Sequence, residues 1–217
     1  MLASLDGLIS YATKVHLKEG KRNARLNNRV VFGVGKLDVH PVINKGVKLR
    51  SYRVWFGMLK RCYGKGTAFR SEYQGCSVDE QWHKFSNFQQ FYDKNYFEGA
   101  ELDKDLLYLG NKVYSKDRCV FIPSFLNAFI TVRPPRNNNL PIGVYQVSNS
   151  RKYQSEIQVN GERKYLGLFE DPYEAHSAWF NEKLKMAISY KELCDSLHPD
   201  LYGGLITKIE SMRVYPD

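Results

Sequence analysis

No two cysteines in this chain are separated by two residues, and no apolar run approaches the roughly 18 to 20 residues that a bilayer-spanning helix needs. Cys62, Cys76, Cys119 and Cys194 stand singly, a spacing that suggests neither a disulfide framework nor a zinc ribbon and reads as reduced thiols. A zinc site drawn from Cys62, Cys76 and His83 would match no ligand spacing with a mechanism. A secretory charge order is lacking too. The opening "MLASLDGLISYATKVHLKEGKR" has Asp6 early and its basic residues late, so an amphipathic helix is expected there and export is not. Acidic residues are in deficit: 32 Lys and Arg stand against 23 Asp and Glu, leaving a net charge of +9.

What is present suffices for a folded protein. The 217 residues are 43% hydrophobic and 14% aromatic, a composition able to bury a core in one large domain or two small ones. A cytoplasmic location is the expectation, with no membrane partner. The positive excess favours a polyanion. It is uneven: residues 1–29 carry +4, 30–50 carry +3, 51–130 carry +2, 131–139 carry +2, 140–190 balance, and 191–217 carry −2. A basic arm and one basic joint therefore hold most of the charge.

The joint is "TVRPPRNNNLP", Thr131 to Pro141, where paired prolines, three asparagines, Arg133 and Arg136 make a stretch unable to continue a helix. Residues 131–141 are accordingly read as a linker. Before it, the apolar residues Val54, Trp55, Met58, Leu59 and Cys62 of "SYRVWFGMLKRCY" recur at helical spacing. A second helix is expected over "SVDEQWHKFSNFQQFYDKNY", with Ser77 as N-cap and Glu80 three residues on. Trp82, Phe85, Phe88 and Phe91 are read as core rather than as a base-stacking platform.

Beyond the linker the period changes from helical to alternating. "GVYQVSNS", "KYQSEIQV" and "RKYLGLF" are short alternating runs separated by "NSR" and "NGE", which predicts three antiparallel strands with a tight Asn-Gly turn. Ile157, Val159, Leu166 and Leu168 fall on one face by alternation, and Glu156, Gln158, Arg163 and Tyr165 on the other. Asp171-Pro172 then opens a helix, Pro172 being suited to the first turn and Asp171 and Glu174 to the positive end of the dipole. Ala175, Ala178, Trp179 and Leu184 are its predicted sheet-facing stripe. The tail, residues 191–217, adds a short helix of no assigned use.

On "IGVY", "YQSEIQV", "RKYLGLF" and "DPYEAHSAWFNEK", residues 142–190 resemble the AP2 DNA-binding module. The resemblance implies a three-stranded antiparallel sheet packed on one helix, with the exposed strand face entering the major groove. Glu156, Arg163 and Tyr165 match that face; Gln158 and Ile142 stand where plant members commonly have Arg. Arg151, Lys152, Arg163 and Lys164 set positive charge on the sheet segment, whereas Glu170, Asp171, Glu174 and Glu182 fall on the helix.

The block 51–130 resembles the HNH-like domain of phage homing endonucleases, some of which carry an AP2 module. The residues that carry the likeness are "YRVWFGMLKRCY", "GCSVDEQWHKFSNFQQFY", "LDKD", "GNKVYSKDRCVFIP" and Asn127. The resemblance implies an α+β protein: a degenerate ββα-metal (HNH-like) domain followed by the AP2-type sheet and helix, with residues 1–50 as a basic helix and arm. In the family a His general base stands beside a metal-binding Asp, and a late Asn or His completes the metal site. Here Asp103 falls on the Asp, Lys104 on the His, Asn111 on a middle structural Asn and Arg118 on the late ligand.

Lys, with a reference pKa near 10.4, offers about one free amine in two thousand at pH 7. Two cations about 5 Å apart would cost about 3 kcal/mol at an effective dielectric near 20, in a place where a divalent ion has to bind. Both residues do suit phosphate. The expectation is a sequence-specific binder of double-stranded DNA that does not cut and represses transcription in a phage or mobile element, without cofactor. Its expected DNA contacts are Lys104, Arg118, Arg133, Arg136, Arg151, Lys152, Glu156, Gln158, Arg163, Lys164 and Tyr165. The alternative is an active HNH homing endonuclease or nickase using Mg2+ or Mn2+ on Asp103, with Asp105 or Asp117 in support and His83 as base. A protein-interaction adaptor is a third reading, and a homodimer is left open.

Overall fold

The structure, a computed structural model, describes residues 30–39, 42–44, 46–131, 140–159 and 161–216. The expected opening helix, the first part of the basic arm, and the joint residues Arg133 and Arg136 lie outside the described residues. In chain order the elements are β1 (Val30–Val31), β2 (Gly35–Lys36), β3 (Ile43–Asn44), β4 (Val47–Lys48), α1 (Arg50–Tyr63), β5 (Ser77–Val78), α2 (Phe85–Asn95), β6 (Ala100–Asp103), β7 (Val113–Tyr114), β8 (Val120–Pro123), α3 (Ser124–Ile130), β9 (Val144–Gln146), β10 (Tyr153–Val159), β11 (Glu162–Phe169), α4 (Pro172–Ser189), α5 (Lys191–Leu197) and α6 (Leu201–Glu210). Helices and small sheets thus mix as an α+β protein.

Two compact units form: Met1–Tyr96 with Lys112–Asp117, and Phe97–Asn111 with Arg118–Asp217. Compactness therefore does not divide the chain at 131–141, where the linker is read from sequence. The reason is a shared core. Val120, Ile122 and Leu126, from the stretch before the joint, pack in one cluster with Ile157, Trp179 and Phe180 from the stretch after it.

In the first unit, α1 forms where the periodicity places it. Its Trp55, Met58 and Leu59 are fully buried, Val54 and Cys62 are half-buried, and the Trp55 indole N–H donates to the Trp82 carbonyl at 2.7 Å. A Cβ on Gly35 would come within 2.4 Å of Leu59 and 2.9 Å of Trp55, so only glycine lets β2 lie this close to the helix. The second helix begins later than expected. Ser77 is not an N-cap but part of β5, paired in parallel with Val113, and its N–H goes to the Lys112 carbonyl.

A backbone committed to a strand ladder cannot also start a helix. Asp79 instead caps a 3-10 turn, Glu80–His83, by accepting from Gln81 N. The helix α2 starts at Phe85, where Asp38 reaches across to accept from both Ser86 N (2.8 Å) and Ser86 Oγ (2.6 Å). Trp82, Phe85 and Phe88 are buried as core, with Phe91 half-buried; Trp82 and Phe88 meet edge-to-face at 5.2 Å, a favoured aromatic geometry.

In the second unit β6 pairs antiparallel with β8, Asp103 opposite Val120, and β8 runs directly into α3. The three predicted strands form an antiparallel sheet in the order β11-β10-β9. A two-residue connection joins β10 to β11, with Gly161 at φ 88°. The helix α4 opens where expected, with Pro172 in the first turn, and Asp171 caps it by accepting from Tyr173 N and Glu174 N. Its buried face is wider than the predicted stripe, adding His176, Phe180, Lys183 and Ala187 to Ala175 and Trp179. Ala178 and Leu184 are only half-buried. The close approach of Gly143 to Trp179 explains the paired Gly-Val and Ala-Trp motifs, since a Cβ there would sit 2.1 Å from the indole.

Candidate functional site

Two places in the second unit gather the residues singled out in the sequence. The first is the turn after β6. Asp103 Oδ1 accepts from Asp105 N (2.9 Å) and Leu106 N (2.7 Å), so this carboxylate ties down the turn that its own strand enters. Burial, and next the neighbouring Asp105 carboxylate, push the Asp103 carboxyl above its usual range. Lys104 turns inward: Nζ is 2.9 Å from Asp105 Oδ2 and 3.1 Å from the Asn111 carbonyl, and its side chain is 13% exposed.

Buried Asn111 clasps both ends of the motif. Its Nδ2 donates to the Lys104 carbonyl at 2.5 Å, and its Oδ1 accepts from Arg118 Nη1 at 3.1 Å. The two cations therefore do not face one another bare. Lys104 is neutralised by Asp105, the Asn111 amide joins the two residues, and Arg118 alone of the pair is exposed. Asn127, on α3, donates to Glu101 on β6.

Chemically this turn is poor in what hydrolysis needs. An ammonium already donating to a carboxylate has no lone pair with which to accept a proton. One Asp103 oxygen is occupied by two amides, the Asp105 carboxylate by an ammonium, and the Arg118 guanidinium is bonded to Asn111, so the donor set does not fit a divalent cation. Among the described residues no group of three or more His, Cys, Asp or Glu is placed to hold a metal ion. His83 belongs to the first unit, with Nε2 3.5 Å from the Tyr63 hydroxyl.

The second place is the face of the β9–β11 sheet turned away from α4. Register fixes its rows: Gln158 opposite Arg163, Glu156 opposite Tyr165, and Gln154 between Tyr145 and Leu168. Arg163 is 82% exposed, with Nη1 3.8 Å from Glu156. Tyr165 is 58% and Leu168 46% exposed. Gln154 donates to Glu156.

The placement of Leu168 corrects the alternation argument. A β-bulge follows Ser155, which pairs with Gly167 while Glu156 pairs with Tyr165. The extra residue, Leu166, shifts the parity of the strand, so Leu168 leaves the core set for the open face. Leu166 itself stays packed on the core. Alternation alone missed Leu168, and Tyr145 and Gln154 were also passed over; Gly167, at φ 140°, was the one sequence sign of the bulge.

Other expected contacts are spread. Lys164 is opposite buried Ile157 and pairs with Glu182 of α4 at 2.8 Å, on the other side from Arg163. Lys152 pairs with Glu170 at 2.8 Å. Arg151 is exposed beside the open basin lined by Ser148, Asn149 and Ser150. Among the described residues no helix is long and apolar enough to cross a membrane. No protein-family model matches the chain, and neither a curated protein nor a solved structure matches it.

Proposed function

We propose that this chain is a sequence-specific double-stranded DNA-binding protein, related to phage HNH homing endonucleases with an AP2 module, that binds without cutting and represses transcription. The observation that carries the reading is the open sheet face, where Tyr145, Gln154, Gln158, Arg163, Tyr165 and Leu168 stand over a rigid helix-backed sheet. A two- or three-stranded ribbon fits a major groove about 12 Å wide. Arg163 supplies the planar fork suited to guanine O6 and N7, and Leu168 an apolar contact for a thymine methyl. The strand–strand–helix run β6, β8, α3 supports the HNH part of this reading. Its exposed Arg118 suits a phosphate, while its inward Lys104, already donating to Asp105, supplies no base for hydrolysing one. A binder that leaves the duplex whole is suited to blocking a promoter.

The test is incubation of the protein with phage and host DNA fragments plus Mg2+ or Mn2+. Retarded and intact DNA is expected. Discrete fragments would instead identify an endonuclease or nickase, and no retardation at low salt would leave an adaptor. With a selected site in hand, Arg163→Ala with Tyr165→Ala should lose about 1–3 kcal/mol of discrimination per base pair read. Arg118→Ala should weaken all sequences alike and reduce the salt slope by about 0.9.

A further inference from the structure

The first unit carries a cationic surface that the reading above does not use. Between the end of α1 and β5, residues 60–76 hold Lys60, Arg61, Lys65 and Arg70 against the single carboxylate of Glu72. Lys112 joins them, its Nζ reaching the Gln74 carbonyl at 3.4 Å. Four lysines outside this stretch, Lys104, Lys152, Lys164 and Lys191, are each neutralised by a carboxylate. Among the described residues Lys60, Lys65, Arg70 and Lys112 form no ion pair, and all four are exposed.

The loop is built to hold its shape. Two 3-10 turns, Gly66–Ala68 and Ser71–Tyr73, bury no residue of their own, yet backbone bonds close each turn, from Ala68 N to Lys65 O and from Tyr73 N to Arg70 O. At its base the Arg61 guanidinium lies over the rings of Tyr73 (5.5 Å) and Tyr114 (5.6 Å), and Nε donates to the Tyr114 hydroxyl at 3.2 Å. Phe69, which lies between Lys65 and Arg70 in sequence, is 56% exposed.

A hydrogen-bonded loop that carries both unpaired cations and an exposed aromatic suits a surface of regularly spaced phosphates with apolar sugars between them. Condensed counterions are released as each phosphate is neutralised, and that gain goes to cations not already paired within the protein. We propose that the loop 64–75 with Lys112 is a second, sequence-independent contact to duplex DNA: Lys65, Arg70 and Lys112 meet phosphates, and Phe69 packs on the deoxyribose surface between them. The proposal rests on the DNA-binding reading and adds to it a grip remote in sequence from the sheet.

The full chain is titrated with a random-sequence duplex of about 30 base pairs between about 50 and 200 mM salt, as wild type, K65A/R70A/K112A and F69A. Thermal melts confirm that each variant is folded. The triple variant should show a salt slope shallower by about 2.7, so that its disadvantage to wild type shrinks ~40-fold across this range. F69A should bind about tenfold more weakly with its slope unchanged. A triple variant with the wild-type slope, in a protein that does bind duplex, overturns this contact and leaves the sheet reading intact. No duplex binding by wild type at 50 mM overturns both. Binding to polyglutamate with loss of slope there and not on DNA would assign the loop to an acidic protein partner and equally overturn it.

Discussion

Lys183 shows how little a residue's type says about its place. It is on the buried face of α4, with Nζ 2.5 Å from the Phe129 carbonyl and 3.6 Å from the Phe129 ring centroid. Burial lowers its pKa from 10.5 to about 8. A depressed lysine pKa means that the unfolded state binds more protons between pH 8 and 10.5, so this group's contribution to stability rises with pH through that window. Below pH 8 the full cost of the buried ammonium is present, about 3 kcal/mol from the size of the shift. Lys183→Met, of similar length and uncharged, should therefore be more stable than wild type by about 1–3 kcal/mol at pH 7, with the gap closing by pH 10.5. Urea midpoints for both proteins at the two pH values measure this; a variant destabilised at pH 7 would mean that the hydrogen bond and the ring contact outweigh desolvation. No sequence signal marked Lys183, because a lysine at a helix position facing a sheet is indistinguishable from one facing water until its partner Phe129, 54 residues away, is placed.

At the level of elements, what could be read in the sequence was whatever local chemistry determines. The α1 stripe, the Asp171-Pro172 helix start and the three strands all depend on neighbours within a few residues, and each stands where its pattern puts it. Two elements escaped because their pairing is distant. Ser77 was drawn into a ladder with Val113, a choice made by a strand 36 positions downstream rather than by the capping-box pattern around it. Leu168 was moved outward by a bulge opposite Ser155. The bulge gives an expectation that separates Leu168 from the core beneath the sheet. Leu168→Ser should cost under about 0.5 kcal/mol of stability, as an exposed change does, while lowering affinity for a selected DNA site. Ile157→Ala, in the core beneath the same sheet, should cost about 2–5 kcal/mol. Chemical denaturation of both variants, beside a binding isotherm for the first, checks it. If Leu168→Ser were the costly one, the register across Ser155 and Gly167 would be wrong. Of the candidate site, the identities of Asp103, Lys104, Asn111 and Arg118 were legible, but their arrangement was not, since only the fold shows that Asn111 links Lys104 to Arg118.

For the whole molecule, the least legible part proves to be structural. Residues 191–217 read as a helix without a task because an isolated amphipathic stretch carries no mark of what it covers. In the second unit Cys194, Leu201, Leu205, Ile209 and Met212 are buried in the same cluster as Leu106, Val120 and Ile122 from the β6–β8 region and Trp179 and Phe180 from α4. His176, wholly buried, fixes the segment after α6: its Nδ1 lies 2.9 Å from the Ile142 carbonyl and its Nε2 accepts from Val214 N at 3.0 Å. This pairing selects the tautomer with the proton on Nδ1. The helix α6 approaches the β6 turn so closely that a Cβ on Gly204 would lie 1.9 Å from the Leu106 carbonyl oxygen. Both candidate surfaces of this unit, the Asp103 turn and the open sheet face, therefore depend on the packing of this tail. Gly204→Val cannot be relieved by a side-chain rotation, because the obstacle is backbone; it should lower stability by about 1–3 kcal/mol, the usual range for overpacking. Truncation after Tyr190 removes five buried residues at once and should leave the rest of the second unit, residues 97–111 and 118–190, without a cooperative core. Hydrogen exchange on the truncated chain is the discriminating measurement: loss of protection in β6, β8 and β10 together is expected. Retained protection in β10 with loss only in β6 and β8 would show instead that the sheet and α4 fold as an independent module and that the C-terminal helices serve the Asp103 turn alone.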